Sequence, residues 1–405
     1  MQRFLPVFVA LFVCFGCSKK IVSVQDLDNS LSDTYKSSLF AGIALTVVKE
    51  DKVLFQKSYG QADVAKNTAY TNQTIQPIAS VSKTFIGVAM MKAIEQGFFT
   101  LETNINDVLP FLVKNPNSPN VPIKIKHLVT HTSGIVDVQK TYYKSHSILS
   151  GQSTTSAEAQ RMINELGFGQ NSSILPLKDF IKAYFTEGGA SYSPDNFLKN
   201  EAGAAYSYSN IGAALAAYLI EIKAGKPFAD YCDETIFRPL NMNNTKWTIA
   251  AANPANLAKL YWTKEKPLPY YGAATYPDGG LVTNSEDLTK FMLEMLKGYS
   301  GTSSFLKKES FDLMFKKAFP SDKLPANMEP KEVNTGVFWV YFKNGRLGHT
   351  GGDLGVTTFM VFYPETKTGF IFLSNTEVEN SDQNKTIATQ LNEMLSAIKE
   401  FEGNN

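Results

Sequence analysis

The chain has 405 residues, of which 43% are hydrophobic and 19% are charged, and its formal net charge is +1. This composition is typical of a globular protein that is long enough for one large domain or two lobes. A net charge so close to zero argues against a nucleic-acid partner, because such partners usually require a strongly basic face.

The N-terminus is predicted to be a lipoprotein signal peptide. Arg3 precedes an apolar run over residues 4–16, which is too short to span a bilayer but suits a secretory signal. A small residue directly before Cys17 resembles a bacterial lipobox, whose cysteine is lipidated after cleavage. We therefore expect residues 1–16 to be removed, Cys17 to be the lipidation site and residues 17–28 to form a tether. Ordinary secretion and an uncleaved anchor remain the alternatives.

This interpretation places the protein in the cell envelope of a bacterium, facing the periplasm and attached to the membrane through its lipid. It also accounts for all three cysteines. Cys14 would leave with the signal peptide and Cys17 would carry lipid, so that Cys232 has no partner for an intramolecular disulfide. Cys232 lies among apolar residues, and we expect a buried, inert thiol there.

Segments that predict strands lie near both ends of the chain. Residues 41–59 contain two apolar-rich halves around Glu50-Asp51-Lys52, which predicts a β-hairpin. Three further strands and a closing helix are predicted at residues 338–342, 357–363, 369–374 and 385–401. We expect strands from the two ends of the chain to form one antiparallel sheet that is flanked by helices.

The middle of the chain is expected to form an inserted, mostly helical lobe, which gives an α+β fold. We expect the sheet lobe to comprise about residues 29–78 and 275–405, and the helical lobe about residues 79–274. Both lobes belong to one domain, residues 29–405. Residues 136–205 are long and poorly periodic, and we expect either an irregular wall of the cleft or a mobile surface excursion.

Ser80-Val81-Ser82-Lys83 stands where an irregular segment gives way to a helical pattern over residues 81–96. Residues three apart share a helical face, so the Ser80 hydroxyl and the Lys83 amine should be neighbours. A serine hydroxyl becomes a good nucleophile when a nearby base takes its proton. Lysine can be that base where burial and the positive potential of a first helical turn disfavour its charge. This S-x-x-K pattern occurs in serine enzymes that recognise penicillin.

Two later segments give this short pattern a context. Tyr208-Ser209-Asn210 directly precedes a helical run over residues 211–223. His349-Thr350-Gly351-Gly352 lies near the C-terminus and is predicted to be a turn that leads into the strand at residues 357–363. The chain therefore carries a serine-lysine box, a tyrosine-x-asparagine box and a Thr-Gly box in that order.

This order resembles the serine β-lactamase-related family, which includes class C β-lactamases, D-alanyl-D-alanine carboxypeptidases, D-aminopeptidases and related esterases. Residues 126–135, 237–245 and 278–288 resemble further segments of the family, so the resemblance covers about residues 41–375. It implies a β-lactamase-like fold and a catalytic domain whose active site lies in the cleft between the two lobes.

The resemblance implies acyl transfer through an ester on Ser80. Lys83 would hold or remove the Ser80 proton, and Tyr208 would relay a proton to the leaving group if nearby ammonium groups stabilise its phenolate. Asn210 would orient Lys83 and the substrate amide by hydrogen bonds.

The Thr-Gly box would complete the site. The backbone N–H groups of Ser80 and Gly352 would form the oxyanion hole, and Thr350 and Gly351 would contact the substrate. His349 stands where β-lactamases of this family usually carry lysine, and we count it among the catalytic residues. An unperturbed imidazole is only about a quarter protonated at pH 7, so recognition of an anionic substrate should be weaker.

No cofactor or metal is expected. His127 and His131 are four residues apart and could share a helical face, which suggests a metal site. However, no glutamate accompanies them in an H-E-x-x-H arrangement, and the family segment that they match is not a metal site.

Together these features predict an envelope serine hydrolase that acts on an ester, a D-amino-acid amide or a peptide. A β-lactamase or D,D-carboxypeptidase is the alternative enzyme, and the imidazole at His349 argues against it. A non-catalytic envelope binding protein on the same fold is the alternative of another class. The four residues Ser80, Lys83, Tyr208 and Asn210 argue against that alternative, because a binding protein would have no need of all four.

Overall fold

The computed structural model describes residues 20–170, 174–328, 331–378 and 384–405. The predicted signal peptide and Cys17 lie outside the described residues. Among the described residues, no helix combines the length and the apolar character needed to cross a membrane.

The described part of the chain contains both strands and helices. The strands are β1 (Gly42–Lys49), β2 (Lys52–Asp63), β3 (Thr68–Ala69), β4 (Gln76–Pro77), β5 (His146–Ile148), β6 (Gly169–Gln170), β7 (Leu260–Thr263), β8 (Lys266–Leu268), β9 (Tyr271–Ala273), β10 (Val282–Thr283), β11 (Glu332–Thr335), β12 (Val340–Phe342), β13 (Leu347–Asp353), β14 (Val356–Phe362) and β15 (Thr368–Ser374). The helices are α1 (Val24–Lys36), α2 (Ser82–Glu95), α3 (Ile125–Val129), α4 (Gln139–Tyr142), α5 (Ala157–Arg161), α6 (Leu177–Phe185), α7 (Asn210–Ala224), α8 (Phe228–Cys232), α9 (Ser285–Tyr299), α10 (Lys308–Phe315) and α11 (Asn384–Asn404).

The large sheet combines strands from both ends of the chain, as predicted. Its order is β11-β12-β13-β14-β15-β1-β2-β3, and neighbouring strands are antiparallel. β1 and β15 pair from Ile43–Ser374 to Lys49–Thr368. Both strands are almost entirely buried, because helices cover both faces of the sheet at this point. The predicted hairpin of β1 and β2 and the α+β architecture are confirmed.

One face of the sheet is covered by the two terminal helices. Leu27 and Leu31 of α1 pack with Met394 and Ile398 of α11 around Phe372 of β15. Full burial of a side chain of this size stabilises the fold by about 1.5–3 kcal/mol. The N-terminal and C-terminal helices therefore hold each other on the sheet.

The predicted tether, residues 17–28, is too long. α1 begins at Val24, where Ser23 and Asp26 form a capping box, and Leu27 is fully buried. This cap and the apolar contact with the sheet hold the first turn of the helix. The helical periodicity of the sequence is too weak here to show where the helix begins.

The opposite face of the sheet packs against α2 and α9, and α7 lies behind α2. α2 and α7 are buried on nearly all sides, which is the pattern of helices at the centre of a lobe. Phe85 of α2 stacks on Phe291 of α9 with ring centres 3.8 Å apart. This packing fixes the start of α2 against the sheet. Cys232 at the end of α8 is buried, as predicted, and makes no disulfide with any described residue; burial holds the pKa of its thiol well above the usual value.

Two predictions of local structure are wrong. The segment His349–Gly352 lies inside β13 and pairs with β14 rather than forming a turn, and the hairpin turn falls at Leu354-Gly355. Residues 136–205 contain short regular elements, including β5, which pairs with β6 and β9 in a small sheet. Apart from α6, these elements have two to five residues and are too short for their periodicity to be recognised in a sequence.

Candidate active site

Ser80 lies in a 3-10 turn, Ala79–Val81, that leads directly into α2. Its hydroxyl oxygen is 3.1 Å from Nζ of Lys83, so the predicted contact is confirmed. Ala79 has a φ of +46°, a left-handed conformation that carries a free-energy cost for a residue with a side chain. The surrounding packing therefore holds Ser80 in a strained turn at the start of the helix.

The Lys83 side chain is fully buried and makes three hydrogen bonds. Besides Ser80, its Nζ contacts Oδ1 of Asn210 at 2.6 Å and the backbone carbonyl oxygen of Asp278 at 2.6 Å. An ammonium group has three N–H donors, and these three acceptors match them. The amine is thereby held in one position beside the Ser80 hydroxyl.

Asn210 is positioned by a carboxylate at the N-terminus of α7. Asp137 accepts hydrogen bonds from the Ser209 hydroxyl at 2.8 Å, from the Asn210 N–H at 2.6 Å and from the Ile211 N–H at 3.1 Å. A carboxylate there satisfies helix N–H groups that have no partner within the helix. Burial raises the pKa of Asp137, and these hydrogen bonds oppose that shift. Sequence reasoning missed Asp137, because no spacing rule connects it with the distant tyrosine-x-asparagine box.

The Tyr208 hydroxyl lies next to the Ser80–Lys83 pair. It is buried and makes no hydrogen bond of normal length with the described residues, and Nζ of Lys83 is 4.9 Å from the centre of the ring. Burial raises the pKa of Tyr208, whereas the neighbouring Lys83 and Ser80 act in the opposite direction. Its hydroxyl has the location that a proton relay would need, and that role stays a prediction.

His131 supports the tyrosine from behind. The rings of His131 and Tyr208 are 4.5 Å apart between centres. Nδ1 of His131 accepts a hydrogen bond from the Ser209 N–H at 3.2 Å, so Nε2 carries the proton of the neutral ring. Burial lowers the pKa of His131 well below its usual value, and Lys83 adds to the effect. No pattern in the sequence indicates this supporting contact.

His127 and His131 do not share a helical face. α3 ends at Val129, and His131 follows it with a φ of +54°. Nδ1 of His127 instead accepts a hydrogen bond from the Lys124 N–H at 3.1 Å. In the part of the chain that the structure describes, no group of three His, Cys, Asp or Glu side chains is placed to hold a metal ion.

His349 is buried in β13 and is only 4% exposed. Its Nδ1 donates to the Thr350 carbonyl oxygen at 2.6 Å, which leaves Nε2 as an acceptor without a hydrogen bond to the described residues. Burial, together with the charge of Lys83, lowers the pKa of His349 to about 3. The imidazole is therefore protonated even less at pH 7 than an unperturbed histidine, because this buried position disfavours a second positive charge.

The glycines of β13 let the strand press against the turn that carries Ser80. A Cβ atom on Gly351 would lie 2.5 Å from the Ile78 carbonyl oxygen and 3.1 Å from the Ser80 nitrogen, so only glycine fits. The Thr358 hydroxyl of β14 donates to the same Ile78 carbonyl at 2.8 Å. The paired strands β13 and β14 thus support the turn, while the oxyanion role of Ser80 and Gly352 stays a prediction.

A cleft of about 1010 Å³ opens beside β13. Tyr208 and residues 350–352 line one end of it, and it continues over the outer face of the sheet to α11. Its apolar lining includes Phe342, Phe359, Val361, Phe370, Leu391 and Leu395. The tyrosine of the second box and the Thr-Gly box therefore border an opening that is large enough for a substrate.

The sequence matches the model of the Beta-lactamase family over residues 27–392. It is 23% identical over 378 residues to the D-alanyl-D-alanine-carboxypeptidase/endopeptidase AmpH of Escherichia coli (strain K12), and the alignment covers 89% of this chain and 89% of that protein.

Solved structures show the same fold. An octameric penicillin-binding protein homologue from Pyrococcus abyssi superposes with a TM-score of 0.68 at 22% identity, covering 91% of this chain and 77% of that chain. The D-amino acid amidase from Ochrobactrum anthropi SV3, complexed with D-phenylalanine, superposes with a TM-score of 0.66 at 21% identity, covering 92% of this chain and 99% of that chain.

Proposed function

The chain belongs to the Beta-lactamase family and is a serine hydrolase, and from this premise we propose that Ser80 forms an acyl-enzyme with an ester, a D-amino-acid amide or a peptide. The observation that carries the proposal is the arrangement of Ser80, Lys83 and Asn210, in which one buried amine contacts both the hydroxyl and the amide oxygen. A nucleophile hydrogen-bonded to a base that a third group orients is the arrangement expected for covalent catalysis.

The proposed reaction has two stages. In the first, Ser80 Oγ attacks the scissile carbonyl carbon while its proton passes to the Lys83–Tyr208 pair, which can accept it with Lys83 as the neutral amine or Tyr208 as the phenolate, and that proton then goes to the leaving group as the scissile bond breaks. In the second, water attacks the ester on Ser80 and restores the hydroxyl. The N–H groups of Ser80 and Gly352 would bind the oxyanion in both stages, and removal of one such donor typically costs about 2.7–4 kcal/mol.

The neutral ring of His349 favours the proposal that the substrate carries no carboxylate that must be bound by a cation at this position. A lysine would present a permanent positive charge to a substrate carboxylate, whereas His349 presents an unpaired Nε2 that can only accept a hydrogen bond when neutral. We therefore propose that neutral esters and amides are better substrates than β-lactams, whose recognition in this family depends on a carboxylate.

The names of two relatives support an acyl group derived from a D-amino acid. The Escherichia coli relative is a D-alanyl-D-alanine carboxypeptidase and endopeptidase by name, and the Ochrobactrum anthropi structure is a D-amino acid amidase with D-phenylalanine. A D,D-carboxypeptidase activity is the second candidate, and the large cleft that continues to α11 favours it because the peptide on the acyl side of the scissile bond would need such room.

We further propose that the protein is an envelope lipoprotein facing the periplasm. The supporting observation is the apolar run at residues 4–16 that ends directly before Cys17. Since α1 begins at Val24, the segment between the lipid and the first helix would be shorter than the interval 17–28.

A serine-directed fluorophosphonate probe tests the proposed nucleophile. We expect mass spectrometry to find the label on Ser80 and hydrolysis of p-nitrophenyl acetate to fall by at least about 10³-fold in Ser80→Ala. Ser37→Ala, at an exposed serine, is the matched control. Labelling at another residue, together with full activity of Ser80→Ala, would exclude this mechanism.

A further inference from the structure

Asp278 has a buried carboxylate without a positively charged partner. The residue is 4% exposed, and both carboxylate oxygens are 3.2 Å from the Tyr142 hydroxyl. The Thr275 hydroxyl also hydrogen-bonds this carboxylate. Tyr142 can supply only one hydrogen, whereas a carboxylate can accept about four hydrogen bonds. Within the described ranges no Lys, Arg or His nitrogen comes within ion-pairing distance of it, and Lys83 bonds the backbone carbonyl of Asp278 instead. Burial of an ionised carboxylate carries a free-energy cost, so a cation bound beside Asp278 would stabilise its ionised form.

The carboxylate belongs to a residue that borders the catalytic centre. The carbonyl oxygen of Asp278 is 2.6 Å from Nζ of Lys83, which is 3.1 Å from the Ser80 hydroxyl. The next residue, Gly279, faces the turn of the nucleophile, since a Cβ atom there would lie 3.7 Å from the Ala79 carbonyl carbon. The backbone of residues 278–279 therefore lies directly beside the nucleophile turn and the catalytic amine.

A small cavity of about 40 Å³ lies beside this carboxylate. It has room for one small group, since a water molecule occupies about 30 Å³ in the liquid. Its lining combines the carboxylates of Asp278 and Asp353 with the aromatic rings of Trp247, Tyr271 and Tyr276. Carboxylates and aromatic faces together are the chemistry that recognises an ammonium group.

The other titratable groups around the cavity do not supply a positive charge. Burial lowers the pKa of His146 to about 4, so its ring is neutral at pH 7. Burial also raises the pKa of the Tyr142 and Tyr271 hydroxyls well above the usual value. Lys83 is the one nearby cation that acts on Asp278, whose pKa burial nevertheless raises to about 7. A second ammonium in the cavity would favour the ionised carboxylate.

We propose that this cavity binds the ammonium group of an amine-bearing acyl group, with Asp278 as the residue that determines the specificity. The substrates of the enzyme would then be aminoacyl amides or esters whose amine is free. This inference rests on the proposed acyl-enzyme mechanism and narrows its substrate class. An N-acylated substrate has no positive charge and a larger nitrogen substituent, so it would lose both the ion pair and the fit.

Paired substrates test the proposal. The ratio of kcat/KM between a free amine and its N-acetyl derivative is measured at pH 7 for the p-nitroanilides of D-alanine, L-alanine and β-alanine. We expect at least one free-amine substrate to be preferred by about 10- to 150-fold, as for one charge-assisted hydrogen bond. In Asp278→Asn this ratio should fall to about threefold or less, while Asp33→Asn, at an exposed carboxylate, should leave it unchanged.

A second measurement on the native protein covers the case in which Asp278→Asn does not fold. Methylammonium chloride should raise KM for the free-amine substrate but not for the N-acetyl substrate, relative to the same concentration of sodium chloride. Equal turnover of free and acetylated amines, with normal hydrolysis of p-nitrophenyl acetate and labelling of Ser80, would overturn the amine site alone. Absence of both labelling and ester hydrolysis would instead overturn the proposed acyl-enzyme mechanism.

Discussion

Asp137 accepts a hydrogen bond of 2.6 Å from the backbone N–H of Asn210, although 73 positions separate the two residues. Through this bond the loop after α3 fixes the N-terminus of α7. The side chain of Asn210 in turn contacts Lys83. The position of the catalytic amine therefore depends on a carboxylate that belongs to none of the three sequence boxes.

Asp137→Ala should damage both stability and activity. Loss of the carboxylate leaves three donors at the start of α7 without an acceptor, and each unsatisfied buried donor costs about 1–3 kcal/mol. We expect the free energy of unfolding in urea to fall by at least about 1 kcal/mol and kcat/KM for p-nitrophenyl acetate to fall with it. Asp195→Ala, at an exposed position, serves as control. If the two variants behave alike, the cap does not position Asn210.

Lys83 and Tyr208 should act as one proton-transfer unit. The Lys83→Met and Tyr208→Phe variants should each lower kcat severely, because the same proton passes through both groups. The double variant should lose much less than the product of the two single losses. A double-mutant cycle on kcat measures this coupling, and fully multiplicative losses would mean that the residues serve separate steps.

His349→Lys should shift the preference toward substrates that carry a carboxylate. A charge-assisted hydrogen bond contributes about 1.5–3 kcal/mol, which corresponds to about 10- to 150-fold in kcat/KM. We therefore expect the ratio of benzylpenicillin to p-nitrophenyl acetate turnover to rise, whereas His349→Gln, which stays neutral, should not change it in this way. Efficient penicillin hydrolysis by the native enzyme, without ester or amide turnover, would contradict the proposal of a neutral substrate.

The neutral state of His349 should make the protein less stable in acid. In the unfolded chain the histidine binds a proton below about pH 6.5, whereas in the folded protein burial lowers its pKa to about 3. Between these values the unfolded state holds the extra proton, so the free energy of unfolding falls by about 1.4 kcal/mol for each unit that the pH is lowered.

Urea unfolding of the native protein and of His349→Gln between pH 6 and pH 4.5 checks this effect. The variant should show a slope against pH that is smaller by about 1.4 kcal/mol per unit. Burial raises the pKa of Asp278 to about 7, so this residue makes the free energy of unfolding rise as the pH is lowered. Asp278 is present in both proteins, so the difference between the two slopes measures the contribution of His349. Identical slopes would mean that His349 is protonated in the folded state.

Cys17→Ser should release the protein from the membrane. Each buried CH₂ group of an attached acyl chain contributes about 0.8 kcal/mol, so two or three chains anchor a protein stably. We expect the native protein in the membrane fraction and the variant in the soluble periplasmic fraction, with Cys232→Ser as the control that keeps the lipid. Retention of Cys17→Ser on membranes after a high-salt wash would exclude lipid anchoring.

The sequence predicts those parts of the site that depend on local geometry. The contact between Ser80 and Lys83 follows from the helical period alone, and the helical pattern over residues 211–223 predicts that α7 starts at the tyrosine-x-asparagine box. The family resemblance adds the order of the boxes. None of these arguments requires knowledge of the tertiary packing.

The parts that the sequence does not predict depend on contacts between distant segments. The carbonyl of Asp278 reaches Lys83 across 195 positions. Gly351 and Gly352 suggest a turn by composition, yet pairing with β14 keeps them in a strand. The protonation state of His349 depends on its burial beside Lys83. The identity of the residue in the sequence does not reveal that burial.

The bond between Thr358 and Ile78 joins residues that are 280 positions apart. The ribosome therefore completes the nucleophile turn long before it makes the strand that supports this turn, and contacts of such high sequence separation form late in folding. A chain that ends before β13 would contain the serine, the lysine, the tyrosine and the asparagine but would lack the surface that holds the serine in place. Removal of the C-terminal strands should therefore abolish activity even though all four of these residues remain in the chain.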